Sequence, residues 1–97
     1  MNMQSLMKQA QNLQRDMMKT KEEIDKKIFE YKNSIIEVKV NGKKEILSIK
    51  ISADELDKDD IEAIEDMVLV AINAVFKEVD KYTEERMSKF SNIPGLF

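Results

Sequence analysis

The residues that could do chemistry in this 97-residue sequence are carboxylates, lysines and arginines, because it contains neither histidine nor cysteine. Those two absences remove the commonest residues of general acid–base catalysis, nucleophilic pairs and zinc sites. Only two glycines occur, Gly42 and Gly95, so a glycine-rich phosphate loop is not possible. The sequence therefore predicts a protein that is not an enzyme, with no metal, no cofactor and no small-molecule substrate.

Carboxylates are densest in residues 54–66, where eight of them stand against the single lysine Lys58. A calcium loop starting at Asp57 would need a glycine at its sixth position and a glutamate at its twelfth, which hold Glu62 and Val68. Acidic side chains at a helix N-terminus are stabilised by the helix dipole, each by about 0.3–1 kcal/mol. The cluster is therefore predicted to cap a helix rather than to bind a metal ion.

Basic residues are concentrated in the first half of the chain, where residues 1–53 hold 11 Lys and Arg against 7 Asp and Glu. The net charge is nevertheless −3 and the pI about 5.0, whereas a nucleic-acid-binding domain usually has a pI above about 9. Charge alone thus favours ordinary solvated helix faces over a phosphate-binding surface.

Apolar spacing predicts a long helix over residues of about 2–26. The residues at heptad a and d positions are Met3, Leu6, Ala10, Leu13, Met17, Thr20 and Ile24. Such a seam packs either on its own domain or on a helix of another chain, and the spacing leaves both open. Lys8 and Arg15 fall at f positions and Lys19 at c, on the outer side.

The middle of the chain alternates with the period of a strand and predicts three strands, at about 27–32, 35–41 and 44–51. Asn33-Ser34 would turn the first strand into the second. Asn41-Gly42 predicts a hairpin with a type I′ turn, which needs a positive φ at both residues. The result is a three-stranded antiparallel meander with one apolar face that needs a cover.

A second long helix is predicted over about 58–88, preceded by a capping-box pattern at Ser52 and Glu55. One apolar stripe consists of Ile61, Ile64, Val68, Ala71, Val75, Val79 and Tyr82, and an overlapping one of Met67, Ile72, Phe76 and Val79. Two stripes imply two partners, the sheet and either the first helix or a second subunit, so we expect a homodimer.

The run 65–76 should be buried on most sides although it contains Asn73. Residues 91–97 are expected to form a mobile tail, and the run 67–76 is too short to span a membrane.

Three stretches resemble the YbaB/EbfC family of small bacterial nucleoid-associated proteins, which bind DNA as homodimers. They are "LMKQAQNLQRDM", "VKVNGKKEILSIKIS" and "EDMVLVAINAVFKEVDKYTEERM", followed by "IPGLF" at the end. The resemblance covers nearly the whole chain. One departure is the short "NS" between the first two strands, where the family usually has a glycine-rich turn.

The resemblance implies one α+β domain over residues 1–97, with a long helix, a three-stranded antiparallel meander and a second long helix in an interlocked homodimer. It places Asn73 where the family carries an asparagine in an apolar helix, near the dimer interface. The expected interface residues are Leu6, Leu13, Met17, Met67, Ile72, Asn73 and Phe76. It also reverses the reading of the charges, and the expected DNA contacts are Lys8, Arg15, Lys19, Lys81, Arg86 and Lys89.

The implied function is a nucleoid-associated protein that binds double-stranded DNA with little sequence specificity, in an architectural or regulatory role. The expected location is the cytoplasm, at the nucleoid. The alternative is a dimeric adaptor that docks proteins through its heptad helix and binds no DNA.

Overall fold

The computed structural model describes residues 2–52 and 57–90 and has the predicted order of elements. They are α1 (Met3–Lys26), β1 (Ile28–Lys32), β2 (Ile36–Asn41), β3 (Ile46–Ile51) and α2 (Ile61–Met87), with 3₁₀ turns at Lys58–Asp60 and Ser88–Phe90. The strands form one antiparallel sheet in the order β1-β2-β3. The α+β prediction is therefore confirmed. The predicted tail at 91–97 and the predicted capping residue Glu55 lie outside the described residues.

Polar residues precede both helices. Asn2 caps α1, and its side-chain oxygen accepts a hydrogen bond from the Ser5 backbone N–H at 2.8 Å. The acidic cluster precedes α2, where the Asp60 carboxylate accepts a hydrogen bond from the Asp57 backbone N–H at 2.9 Å. These contacts satisfy backbone donors that a helix start leaves without partners.

The core lies between α2 and one face of β1 and β2. Val38 and Val40 of β2 and Val75 of α2 are fully buried there. At one end of this core the Phe29 ring meets Tyr82 edge-on, with 5.5 Å between ring centroids. The helix thus covers two of the three strands.

The second stripe predicted for α2 packs on the same core as the first stripe from Val68 onward, since Met67, Ile72 and Phe76 are half-buried against it. Ile61, at the start of the first stripe, is 55% exposed. The stripes are one wide face rather than two. The run 65–76 was expected to be buried on most sides, yet Leu69 and Val70 are 61% and 58% exposed. Asn73 is exposed as well. A single chain therefore leaves part of this run and Asn73 exposed, and their burial against a second chain stays a prediction.

The turn between β2 and β3 differs from the predicted type I′ turn. Asn41 and Glu45 close a three-residue loop, in which the Lys44 N–H donates to the Asn41 carbonyl at 3.0 Å. Among the described residues other than glycine, only Lys44 has a positive φ, at 62°. This is a turn followed by a left-handed residue, the commonest three-residue hairpin connection. Because of this longer loop, β3 begins at Ile46 rather than at residue 44, the predicted start.

Gly42 has a packing role in this turn. A Cβ at Gly42 would collide with the backbone carbonyl of Ile24 and lie 3.0 Å from the Cα of Asp25. The glycine therefore lets the last turn of α1 rest against the hairpin. The sequence analysis singled out Gly42 for the positive φ of a type I′ turn, whereas the structure requires a glycine there for space beside the Ile24 backbone.

Replacing Gly42 by alanine is expected to lower the free energy of unfolding by about 2 kcal/mol or more, because two backbone segments must separate. Lys43→Ala, an exposed change in the same turn, serves as the control. Urea unfolding at a fixed protein concentration measures both variants. An unchanged midpoint for Gly42→Ala would contradict the close packing of α1 on the hairpin.

The two helices lie nearly end to end. At 1.5 Å per residue, α1 is about 36 Å long and α2 about 40 Å, and the chain measures 71 × 18 × 15 Å. They overlap near their C-terminal ends, where an Arg86 guanidinium nitrogen lies 2.7 Å from a Glu23 carboxylate oxygen. Only Thr20 and Ile24 of α1 are buried. The first 17 residues of α1, residues 3–19, therefore project from the body as an arm.

Candidate nucleic-acid interface

Three of the predicted DNA contacts lie in a row on the arm. Lys8, Arg15 and Lys19 are all exposed, and successive members lie about 10 and 6 Å apart along the helix axis. At 100° per residue they face away from Thr20 and Ile24, the side of α1 that the body covers. We call this surface the basic face of α1.

A fourth lysine continues the basic face and was missed by sequence reasoning. Lys26 follows Lys19 by seven residues, so it lies on the same side about 10 Å further along. The seven-residue spacing was the available signal. Lys26 has an exposed ion-pair partner one turn away, Glu22, at 3.7 Å. Within residues 2–52 and 57–90, the structure shows no ion pair to Lys8, Arg15 or Lys19.

Arg86, one of the three predicted contacts on the second helix, already has protein partners. It donates to Glu23 at 2.7 Å and to the Tyr82 hydroxyl at 2.8 Å. The hydrogen bond to Glu23 raises the pKa of Arg86 above its ordinary value, so the guanidinium stays charged. The contact with Glu23 joins the two helices where they overlap.

Lys81 and Lys89 are the other two DNA contacts predicted near the C-terminal end of α2, and their surroundings differ from those of Lys8 and Arg15. Lys81 is exposed but precedes Glu84 and Glu85, which lie one turn on. The Lys89 ammonium lies 5.0 Å from the centre of the buried Phe90 ring. Positive charge here is diluted by neighbouring carboxylates. Lys19 likewise has Glu22 and Glu23 one turn on, whereas Lys8 and Arg15 have no carboxylate three or four residues away.

The acidic segment before α2 and the basic face of α1 lie toward opposite ends of the elongated chain. The acidic turn at Lys58–Asp60 and the start of α2 lie about 40 Å from the C-terminal end of α2, where α1 joins the body. The arm extends from that junction in the opposite direction. A polyanion on the arm would therefore be remote from the acidic end, and local charge can differ in sign from the net charge.

The seven predicted interface residues fall on two separate surfaces. Leu6, Leu13 and Met17 lie on the arm; Leu6 is 45% exposed and the other two are half-buried. The remaining four lie along α2 and are Met67, Ile72, Asn73 and Phe76. A single chain does not bring these two groups together.

Within residues 2–52 and 57–90, nothing covers the apolar face of β3. Ile46, Ile49 and Ile51 pair with Val40, Val38 and Ile36 and therefore share their side of the sheet. They are 39–45% exposed, while their partners on β2 are buried. Leu47 forms a bulge in β3, because Ser48 pairs with Lys39 and Ile46 pairs with Val40. As a result Ile46, rather than Leu47 as the sequence alternation predicted, shares a face with Ile49 and Ile51.

One flank of α2 lies beside this uncovered strand. The Lys44 ammonium, at the start of the hairpin into β3, contacts Asp80 and lies 6.0 Å from the Phe76 ring centre. Leu69 is seven residues before Phe76 and so lies on the same flank. We call the surface formed by Ile46, Ile49, Ile51, Leu69, Ile72 and Phe76 the open face. Sequence reasoning missed Leu69 and Ile46, although the i+7 spacing of Leu69 and Phe76 was visible.

The described residues offer little else that could do chemistry. They contain no group of three or more acidic side chains, histidines or cysteines placed to hold a metal ion. No helix within them is long and apolar enough to cross a membrane.

Comparison with known proteins agrees with this geometry. A family model described as the YbaB/EbfC DNA-binding family matches residues 1–93. A nucleoid-associated protein of Clostridium novyi is 43% identical, with 100% of this chain and 90% of the relative aligned. A nucleoid-associated protein of Ligilactobacillus salivarius is 41% identical, over 99% of this chain and 95% of the relative. One from Oceanobacillus iheyensis is 37% identical, over 99% and 97%. The chain belongs to the YbaB/EbfC DNA-binding family.

Proposed function

We propose that this nucleoid-associated protein binds double-stranded DNA as a homodimer, through the basic face of α1 and with little sequence specificity. The observation that carries the proposal is the row formed by Lys8, Arg15 and Lys19 on an arm that projects away from the acidic end of the body. Lysine and arginine in such a row neutralise phosphates, which gives affinity without reading the bases.

A duplex is favoured over unpaired strands because the described part of the chain has no exposed aromatic side chain on which a base could stack. Single-strand binding sites present aromatic side chains on which bases stack. Within residues 2–52 and 57–90, every aromatic side chain is buried or half-buried. Phosphate contacts on a helix face suit a duplex, whose backbone is a regular array of charge.

The open face supports the homodimer. In this proposal the three side chains of β3 and the three of α2, each half-buried or at least 39% exposed, form one continuous patch. Monomeric proteins rarely expose a contiguous apolar patch of this kind. A second copy related by a two-fold axis would cover each open face with the other. Asn73, one residue from Ile72, would lie at the margin of this contact and could hydrogen-bond across it.

The role that follows is architectural and non-enzymatic, at the nucleoid in the cytoplasm. The relatives named as nucleoid-associated proteins support the location. The absence of histidine and cysteine from the sequence supports the lack of catalysis.

Titration of a random-sequence duplex with the purified protein tests the proposal. We expect retardation in a gel at low salt and a linear fall of log affinity with log salt, with a slope of about −0.9 per phosphate contact. A duplex of different sequence should give the same affinity within a few-fold. Lack of retardation at low salt would contradict DNA binding and favour a protein adaptor that docks through α1.

A further inference from the structure

We propose that the arms of two protein copies pair antiparallel along the seam formed by Met3, Leu6, Ala10, Leu13 and Met17. This contact is separate from the open face, and it does not depend on DNA binding. Each chain would then contact other copies through two surfaces. Assemblies larger than a dimer follow from that arrangement.

The first reason is that nothing within residues 2–52 and 57–90 buries a side chain of the arm. Residues 3–19 contain no buried side chain, and Met3 and Leu6 are 76% and 45% exposed. An isolated helix of this length is marginal in water, because helices in proteins gain most of their stability from packing. The seam is the surface on which such packing would occur.

The second reason is the heptad spacing of the seam. Leucine at both d positions, with the small Ala10 between them at an a position, permits the close approach of two helices. Two heptads are a short contact on their own. The body contact holds chains in pairs, so two arms of one dimer can engage two others and strengthen the association.

The antiparallel direction follows from what already covers the seam. Its C-terminal members Thr20 and Ile24 are 6% and 2% exposed, because the chain's own body lies on them. In a parallel pair, both bodies would need the space between the arms at that same end. In an antiparallel pair the bodies lie at opposite ends, and the seam residues from Leu6 to Met17 of the two arms, which neither body buries, overlap.

The antiparallel register that matches a to d positions sets Leu6 against Met17 and Ala10 against Leu13 of the other chain. On the flanks it sets Met7 against Gln14, and Gln9 against Asp16, so like charges do not face each other. The basic face lies on the opposite side of each helix and stays accessible. Pairing and DNA contact are therefore compatible.

Disulfide trapping without DNA tests the pairing, because the chain has no cysteine of its own. Ala10→Cys and Leu13→Cys variants that differ in tag length are mixed and mildly oxidised. We expect the mixed disulfide to exceed the amount that random pairing gives, since these positions meet only in the antiparallel register. The matched control is a mixture of Lys8→Cys and Arg15→Cys, which lie on the outer side of the same arm and should cross-link far less.

Three results would overturn the proposal. Equal cross-linking of the seam and control mixtures would mean random collision. An excess of the two unmixed disulfides would mean parallel arms. No disulfide at the seam, with the thiols confirmed as reactive, would mean that the arms do not meet. None of these results bears on duplex affinity, so a failure here is distinct from a failure of DNA binding.

Discussion

Replacing Lys8, Arg15 and Lys19 together by glutamine is expected to lower duplex affinity by about two orders of magnitude or more at 0.1 M salt. Each phosphate contact contributes about 0.9 to the salt slope, which is about eightfold in affinity at 0.1 M relative to 1 M. The loss of three contacts per chain should also flatten the slope by about 3 per chain. Fluorescence anisotropy at several salt concentrations measures both quantities.

A second triple variant separates local charge from net charge. Lys32→Gln, Lys39→Gln and Lys58→Gln remove the same number of positive charges from lysines that already have acidic neighbours. Lys32 and Lys39 lie 3.7 and 3.6 Å from Glu37, and Lys58 lies in the acidic segment. We expect this control to bind nearly as the unmodified protein does. Equal losses in both variants, or an unchanged salt slope in the first, would remove the basic face of α1 as the DNA surface.

The order of elements could be predicted because each has a strong period of its own. The heptad spacing from Met3 to Ile24 and the alternation of Ile36, Val38 and Val40 each fit only one regular structure. Acidic residues before α2 marked its start through the helix dipole. Local physics was sufficient in all three cases.

The hairpin shows where local physics was insufficient. Asn41-Gly42 has the sequence of a type I′ turn, but the chain takes a three-residue loop with Lys44 left-handed. The Asn41 side-chain oxygen accepts hydrogen bonds from the Lys43 and Glu45 N–H groups, both at 3.0 Å, and stabilises this loop. The approach of Ile24 then requires a glycine at position 42 for space. A contact between residues far apart in sequence does not appear in a short-range motif.

The candidate site was predictable in part for a similar reason. The row of Lys8, Arg15 and Lys19 follows from helix geometry alone, and the structure places them as expected on one exposed face. The contact between Arg86 and Glu23 joins residues 63 apart in sequence and depends on how the two helices meet. The open face depends on α2 covering β1 and β2 but not β3, which no periodicity reveals.

Replacing Leu69 by lysine is expected to weaken the homodimer by a hundredfold or more without unfolding the chain. Leu69 is 61% exposed in one chain, so a lysine there costs a folded monomer little. In the proposed dimer the open faces cover each other and each lysine would be buried without a partner. An uncompensated buried charge costs about 3–5 kcal/mol, and 1.4 kcal/mol is a factor of ten in affinity. Sedimentation equilibrium at micromolar concentration should show the unmodified protein at two or more times its 11.3 kDa chain mass. The variant should sediment mostly at one chain mass, because the two heptads of the arm are a short contact on their own.

Val70→Lys is the matched control for this prediction. Val70 is the next residue and is 58% exposed, but it lies 100° around the helix, away from Phe76 and the open face. Both substitutions replace an exposed apolar residue of α2 by the same cation, so they differ only in which flank they change. We expect Val70→Lys to remain dimeric. If Leu69→Lys stays dimeric while Val70→Lys dissociates, the contact lies on the other flank of α2. If neither dissociates, the open face is not the dimer interface, and the seam on the arm becomes the contact that holds two chains together.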